Sequence, residues 1–277
     1  MAKKAQGTIA SMDAKEQLYG RRMTVSRAMR DVLKWEVIYG ALTLTLIGFH
    51  FPHFLFVIPV LILVFLWVWR SLLPKKVEQA YQMQSYSERN QFVNLVTQEM
   101  STHTITMQAA IKDAMNNASG EFRDDISNLS AVLAAGSNRK TVHKAFLRIQ
   151  KKYESDIYFA RFMEQCETVY WETEYHIESF ETFKDSHNMV LEKKNLFRAN
   201  KKSREQQMYM MLGLCEIMNV IVVNISASVG ASTSSWGDSY IGNGISLFWV
   251  VIVFIIIAMF YRNFFDDSVL SFWKKGN

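Results

Sequence analysis

VIYGALTLTLIGFHFPHFLFVIPVLILVFLWVW, residues 37–69, carries no charged side chain and is bounded by Lys34, Glu36 and Arg70. As a single helix it measures about 50 Å at 1.5 Å per residue, well beyond a hydrocarbon core of roughly 30 Å. Pro52 removes a backbone donor near its middle, and His50 and His53 flank that break with rings that favour water. The stretch therefore reads as a hairpin of two membrane-crossing arms within residues 35–73. Trp35, Trp67 and Trp69 stand where amphipathic rings anchor at headgroups.

Working outward, a second apolar region repeats this pattern near the C-terminus. Only Glu216 is charged in residues 208–228, and nothing is charged in residues 245–261. The Gly- and Ser-rich residues 229–244 between them read as a short exterior loop, so that 208–261 forms a second hairpin. All 31 Lys and Arg fall outside the apolar stretches: 8 in residues 1–34, 20 in residues 70–206 and 3 in residues 262–277. Cytoplasmic loops collect Lys and Arg, so this distribution places both termini and the middle block inside. The expectation is an all-α membrane protein with four transmembrane helices, two hairpins, flanking a cytoplasmic six-helix bundle. Its parts are a basic N-terminal segment 1–34, hairpin one over 35–73, a helical domain over 74–207, hairpin two over 208–261 and a tail over 262–277. The expected location is the bacterial cytoplasmic (inner) membrane, multi-pass.

Composition is consistent with this and narrows the chemistry. The formal charge of +5 is explained by inside placement and attraction to anionic lipid, so nucleic acid is not an expected partner. Cys166 and Cys215, one in the middle block and one in an apolar segment, suggest neither a disulfide nor a metal cluster. No Gly-rich phosphate loop ending in Gly-Lys-Ser/Thr is present. His50 and His53 form the closest histidine pair, and no Cys or carboxylate accompanies them as zinc would require. No nucleophile motif stands out. The chain is expected to be no enzyme, with no catalytic residue, cofactor or metal.

Residues 75–206 contain no proline and show helical periodicity throughout. Phe92, Leu95, Val96 and Met100 share a face, as do Met107, Ala110, Ile111 and Ala114. The same spacing links Ile126, Leu129, Val132 and Leu133, then Val142, Ala145, Phe146, Ile149 and Tyr153, then Phe159, Phe162, Met163, Cys166, Val169 and Tyr170. Breaks fall at residues 116–120, 136–138 and 155–156, each with a capping residue. About five helices of 10 to 17 residues close one core. A sixth begins near Glu174, with Phe183, Val190 and Phe197 recurring at sevens.

Three groups of residues are candidates for contact. Glu216, a carboxylate inside an apolar segment with Asn219 one turn away, is either a contact with a partner subunit or a polar contact within the bundle. Glu172, Glu174 and Glu178 lie in an acidic run that also includes Glu164, Glu167 and Glu181, mixed with Tyr170, Trp171, Tyr175 and Phe180. That run is either a docking surface for a basic partner or a solvated helix face. Lys193, Lys194, Arg198, Lys201, Lys202 and Arg204 are read as lipid-headgroup and topology-fixing residues.

The segment LSAVLAAG at residues 129–136, followed by VHKAF at residues 142–146, is similar to the helix, glycine turn and second helix of the type II secretion system F domain family, with Gly136 as the turn. Residues 92–110 resemble the opening helix pair of that family, and the order of parts over residues 90–262 resembles its tight-adherence pilus branch. The resemblance implies an inner-membrane platform protein of a type IV pilus, Tad-like or type II secretion filament machine. Such a platform couples a cytoplasmic hexameric ATPase to pilin extraction and filament assembly. Its implied partners are that ATPase, pilin-like subunits, and further copies of itself or a paralogous platform protein. A membrane-anchored scaffold or signalling adaptor is the alternative, and a small transporter is a third reading.

Overall fold

The computed structural model describes Leu33, Val37 and residues 62–63, 65–102, 104–172, 177–228 and 240–264, with the side chains of some helical residues in the last two segments left undescribed. Seven α-helices are defined among them: α1 Leu73–Ser101, α2 Met107–Asn117, α3 Gly120–Ala134, α4 Arg139–Lys152, α5 Ile157–Trp171, α6 Ile177–Ser228 and α7 Tyr240–Phe264. A π-helical turn, Val68–Leu72, leads into α1. Pro74 accounts for it: its missing N–H and the bulk of its ring disfavour tight winding against the preceding turn. Leu73 donates to the Val68 carbonyl instead, one residue farther back than in an α-helix.

The chain divides into two compact units. One spans residues 78–197 and is the bundle. In it α2 packs on α3 and α5, and α4 packs on α3 and α5. Its helix starts are fixed locally. Asn138 Oδ1 accepts from the Thr141 N–H at 2.9 Å, and Thr106 and Asp156 cap α2 and α5 in the same way. Ser119 at the start of α3 is held from a distance, its N–H and hydroxyl donating to the Glu88 carboxylate of α1 at 3.0 and 2.6 Å.

Six fully buried phenylalanines fill the core of this unit: Phe92, Phe122, Phe146, Phe159 and Phe162, with Phe180 from α6. Phe92 meets Phe122 edge-on at 5.5 Å, Phe122 meets Phe159 at 5.7 Å, and Phe162 meets Phe180 at 5.5 Å. These edge-to-face contacts set positive ring edges on negative ring faces and fix the angles at which the helices approach.

The other unit draws on residues 23–77 and 198–272. Within it Trp67 meets Phe254 at 5.9 Å and Tyr261 at 5.8 Å, both edge-on. The Tyr261 hydroxyl donates to Glu205 at 3.0 Å and lies 2.8 Å from that of Tyr209.

The four-span reading is corrected, and with it the multi-pass inner-membrane placement: among the described residues, no helix is long and apolar enough to cross a membrane. The C-terminal half of α6 is interrupted by Glu216, Asn219 and Asn224. The helix α7 opens on Tyr240, Gly242, Asn243, Gly244 and Ser246, which leaves an uninterrupted apolar run only over residues 247–260. That run measures about 21 Å, short of the roughly 30 Å a hydrocarbon core demands. Most of hairpin one, including Pro52 and the two histidines, lies outside the described residues, as do residues 1–32 and 265–277.

Candidate functional site

The most connected group of polar side chains lies inside the bundle, where α1, α5 and α6 meet. Asp156, at the N-cap of α5, accepts from Arg89 Nε at 2.9 Å and contacts His187 Nε2 at 3.0 Å through its Oδ2, while its Oδ1 accepts from the Phe159 N–H. His187 is fully buried on α6 and Arg89 is buried on α1. The guanidinium lies over the Tyr153 ring at 4.8 Å and that of Tyr86 at 5.4 Å, and donates to Ser85 Oγ at 2.7 Å. Tyr86 in turn stacks on the His187 ring at 4.4 Å.

A directed chain of amides orients the imidazole. Asn94 Nδ2 donates to the Asn90 backbone carbonyl, which fixes which way that amide faces. Its Oδ1 accepts from Asn188, Asn188 Oδ1 accepts from Asn90 Nδ2, and Asn90 Oδ1 is left facing His187 Nδ1 at 2.6 Å. Both ring nitrogens of His187 therefore have an oxygen partner, an amide oxygen on one side and a carboxylate on the other. Burial works to raise the Asp156 carboxyl, but the hydrogen bond and charge of His187 and the charge of Arg89 outweigh it and hold the group below its ordinary value. Arg89, Asp156, His187, Asn90, Asn94 and Asn188 bond to one another, so the cluster's chemistry is that of a clamp joining α6 to α1 and α5.

A second ionic group lies on the same unit. Lys152 contacts Glu121 at 2.6 Å and Asp125 at 2.5 Å, while Tyr81 donates to Glu121 and Tyr153 to Asp125. Burial opposes the Lys152 ammonium, yet its bonds to Asp125 and Glu121 raise it above the ordinary lysine value. Cys166 is wholly buried, and burial pushes its thiol far up, away from the reactive thiolate. Among the described residues no group of three His, Cys, Asp or Glu is placed to hold a metal ion.

The residues singled out from the sequence are distributed as follows. Glu172 caps the end of α5 and Glu178 lies in the first turn of α6; both are exposed, as are Glu164 and Glu181. Trp171 is partly exposed beside them, with the Arg139 guanidinium 5.8 Å from its ring. Glu167 instead turns inward toward His143 Nδ1 at 2.8 Å. Glu174 lies outside the described residues, and the side chains of Glu216 and Asn219, on α6, do so too. Gly136 takes a φ of +60° just after α3, and its N–H donates to the Leu133 carbonyl.

Of the basic group, Lys194 sets its ammonium 3.5 Å from the Tyr86 ring centroid, and Lys201 donates to the Phe264 carbonyl. Lys193, Arg198, Lys202 and Arg204 are exposed. The structure thus brings Glu172 and Glu178 to one end of the bundle and gives Lys194 and Lys201 protein contacts.

The clamp of Arg89, Asp156 and His187 was not singled out from the sequence. A signal for it exists: Phe180 and His187, seven apart, are the buried positions of α6 among the described residues, and Lys194 follows seven later, partly buried. Phe183, Val190 and Phe197, the heptad that hydrophobicity favours, are only half-buried.

No family model matches the chain, so the likeness to the type II secretion F domain rests on the motifs quoted above, and no solved structure matches it. The chain is 30% identical over 210 residues to the uncharacterized protein pXO2-23 of Bacillus anthracis, covering 73% of this chain and 72% of that protein. Identity at this level across most of both sequences reflects a shared fold and descent, and the chain belongs to the family of that Bacillus anthracis protein.

Proposed function

We propose that the chain is a non-enzymatic assembly platform whose helical bundle is the body on which a cytoplasmic hexameric ATPase of a filament or secretion machine acts. Pilin-like subunits and further copies of the chain, or of a paralogous one, are the other partners in this reading. Crossing a membrane is not part of it. The observation that carries it is the exposed acidic run of Glu164 and Glu172 on α5 and Glu178 and Glu181 at the start of α6, with the partly exposed Trp171 at the end of α5. Interfaces favour an aromatic anchor ringed by charges, and such charges steer a basic partner into place. The clamp behind this end supports the same reading, because a body that receives force needs its helices fixed to one another. The F domain resemblance supplies the class of partner.

Co-purification from the host tests the proposal. The chain is expected to recover a hexamer that hydrolyses ATP, and charge reversal of Glu172, Glu174 and Glu178 to Lys is expected to reduce that recovery at least roughly tenfold. Undiminished recovery from the reversed variant removes the acidic end as the docking surface. Absence of any ATPase from the wild-type preparation removes the platform reading and leaves a scaffold or adaptor of other partners.

A further inference from the structure

The C-terminal half of α6 carries an apolar stripe that stands in solvent. Met210, Met211 and Leu214 are 64%, 67% and 56% exposed, and Ile217, Met218 and Ile221, each seven residues farther on, are 57%, 61% and 44% exposed. A spacing of seven returns to the same helix face every two turns, so these six positions make one continuous row. In heptad terms Met211 and Met218 take position a, Leu214 and Ile221 take d, and Met210 and Ile217 take the flanking g. Glu216, the one charged residue of 208–228, falls at f, the register position farthest from that seam.

With on the order of 100 Å² open on each side chain, the stripe offers roughly 600 Å² of apolar surface, more than scattered exposed residues present. Two copies laid stripe to stripe bury about 1,200 Å², the area at which specific protein pairs become stable. The spacing selects the occupant. A lipid surface accepts apolar residues at any spacing, whereas a helix lying alongside needs knobs at a and d on successive turns. The chain itself supplies such a helix, with the same repeat, in α6 of another copy. Methionine at a suits that role, because its unbranched thioether adjusts to the hole it enters.

We propose that this stripe is a self-association seam, along which α6 of one copy packs against α6 of a second as a two-stranded coiled coil. As the surface for the further copies of the platform it rests on the proposed function, but the pairing itself stands on α6 and not on the acidic end of the bundle.

Sedimentation velocity of the purified full chain tests it. The wild type is expected to show a saturable monomer–dimer equilibrium. Leu214→Glu with Ile221→Glu, which sets carboxylates into the seam, is expected to raise the dimer dissociation constant at least roughly tenfold. All the altered side chains are exposed, and Phe248→Glu with Ile255→Glu, at comparably exposed positions of α7, is expected to leave the equilibrium unchanged. An equimolar mixture of the Glu pair with Leu214→Lys, Ile221→Lys is expected to recover the dimer, which misfolded chains would not do. A monomeric wild type, an unchanged Glu pair at positions 214 and 221, an equal loss from the α7 pair, or a mixture that stays monomeric overturns the proposal. A monomeric chain that floats with phosphatidylcholine vesicles gives the stripe to lipid and overturns it too. A monomeric chain that still recovers the ATPase removes the seam and leaves the proposed function, whereas a dimer that recovers no ATPase supports the seam and removes that function.

Discussion

At the scale of single residues, Asp156 concentrates the most consequence in the fewest atoms. One carboxylate caps α5, receives Arg89 and faces His187, and the last two are buried with it. Removing one partner from such a group leaves the others as uncompensated charge in a low dielectric, which costs about 3–5 kcal/mol. Asp156→Asn isolates that term, because the amide oxygen still accepts from the Phe159 N–H while the charge is gone. The variant is expected to lose about 3–5 kcal/mol in urea denaturation of the full chain. A loss below about 1 kcal/mol means that Arg89 finds other compensation and the clamp contributes little. Exposed pairs such as His143 with Glu167 promise far less, since solvent competes for both partners.

At the scale of elements, Gly136 terminates α3. Its φ of +60° lies in the left-handed region, and a Cβ built there meets nothing within 4 Å, so conformation alone resists substitution. Gly136→Ala is expected to cost about 1 kcal/mol and Gly136→Asn less, read as the shift in thermal midpoint of the bundle. A neutral alanine variant means that the turn relaxes to negative φ. This junction was legible in the sequence because a glycine turn followed by Asn138 is a local signal, and the same holds for the Asp156 cap. What was not legible depends on partners far along the chain. The buried side of α6 contains His187, with Lys194 partly buried one heptad on; hydrophobic periodicity counts both as outward, whereas Asp156, Asn90 and Tyr86 make that placement favourable. Glu88 serves as the cap of a helix it does not belong to, at a separation no window on α3 contains. The spans were misjudged for a related reason. Counting charges alone made residues 208–228 and 245–261 look sufficient, whereas Glu216, Asn219 and Asn224 interrupt the first and the second runs for only 17 residues, about 26 Å. Of the acidic run, Glu172 and Glu178 were readable as surface groups, but Glu167 was not, because its partner His143 comes from the preceding helix.

At the scale of the whole molecule, the division into two compact units makes a claim about what folds alone. Among the described residues, the six-phenylalanine core, the clamp and the Lys152 group all lie within residues 78–197. A stretch of this length is within the range of independent domains. A fragment of residues 78–197 is therefore expected to unfold in one cooperative transition, with coincident circular dichroism and fluorescence curves. Its pH dependence follows from the two ionic groups. The Asp156 and Glu121 carboxyls are lowered in the folded state, so their contribution is fully present above the ordinary carboxylate range and is lost as pH falls through their folded values. Lys152 is raised, so its contribution is fully present below the ordinary lysine value and is lost as pH climbs through its folded one. Stability of the fragment is thus expected to form a plateau across neutral pH and to fall toward acid and strong alkali. The acid limb should shrink in Asp156→Asn, which no longer has that carboxylate to protonate. A fragment that melts without cooperativity shows instead that the long α6 must be complete for the bundle to close, and that the two units fold as one.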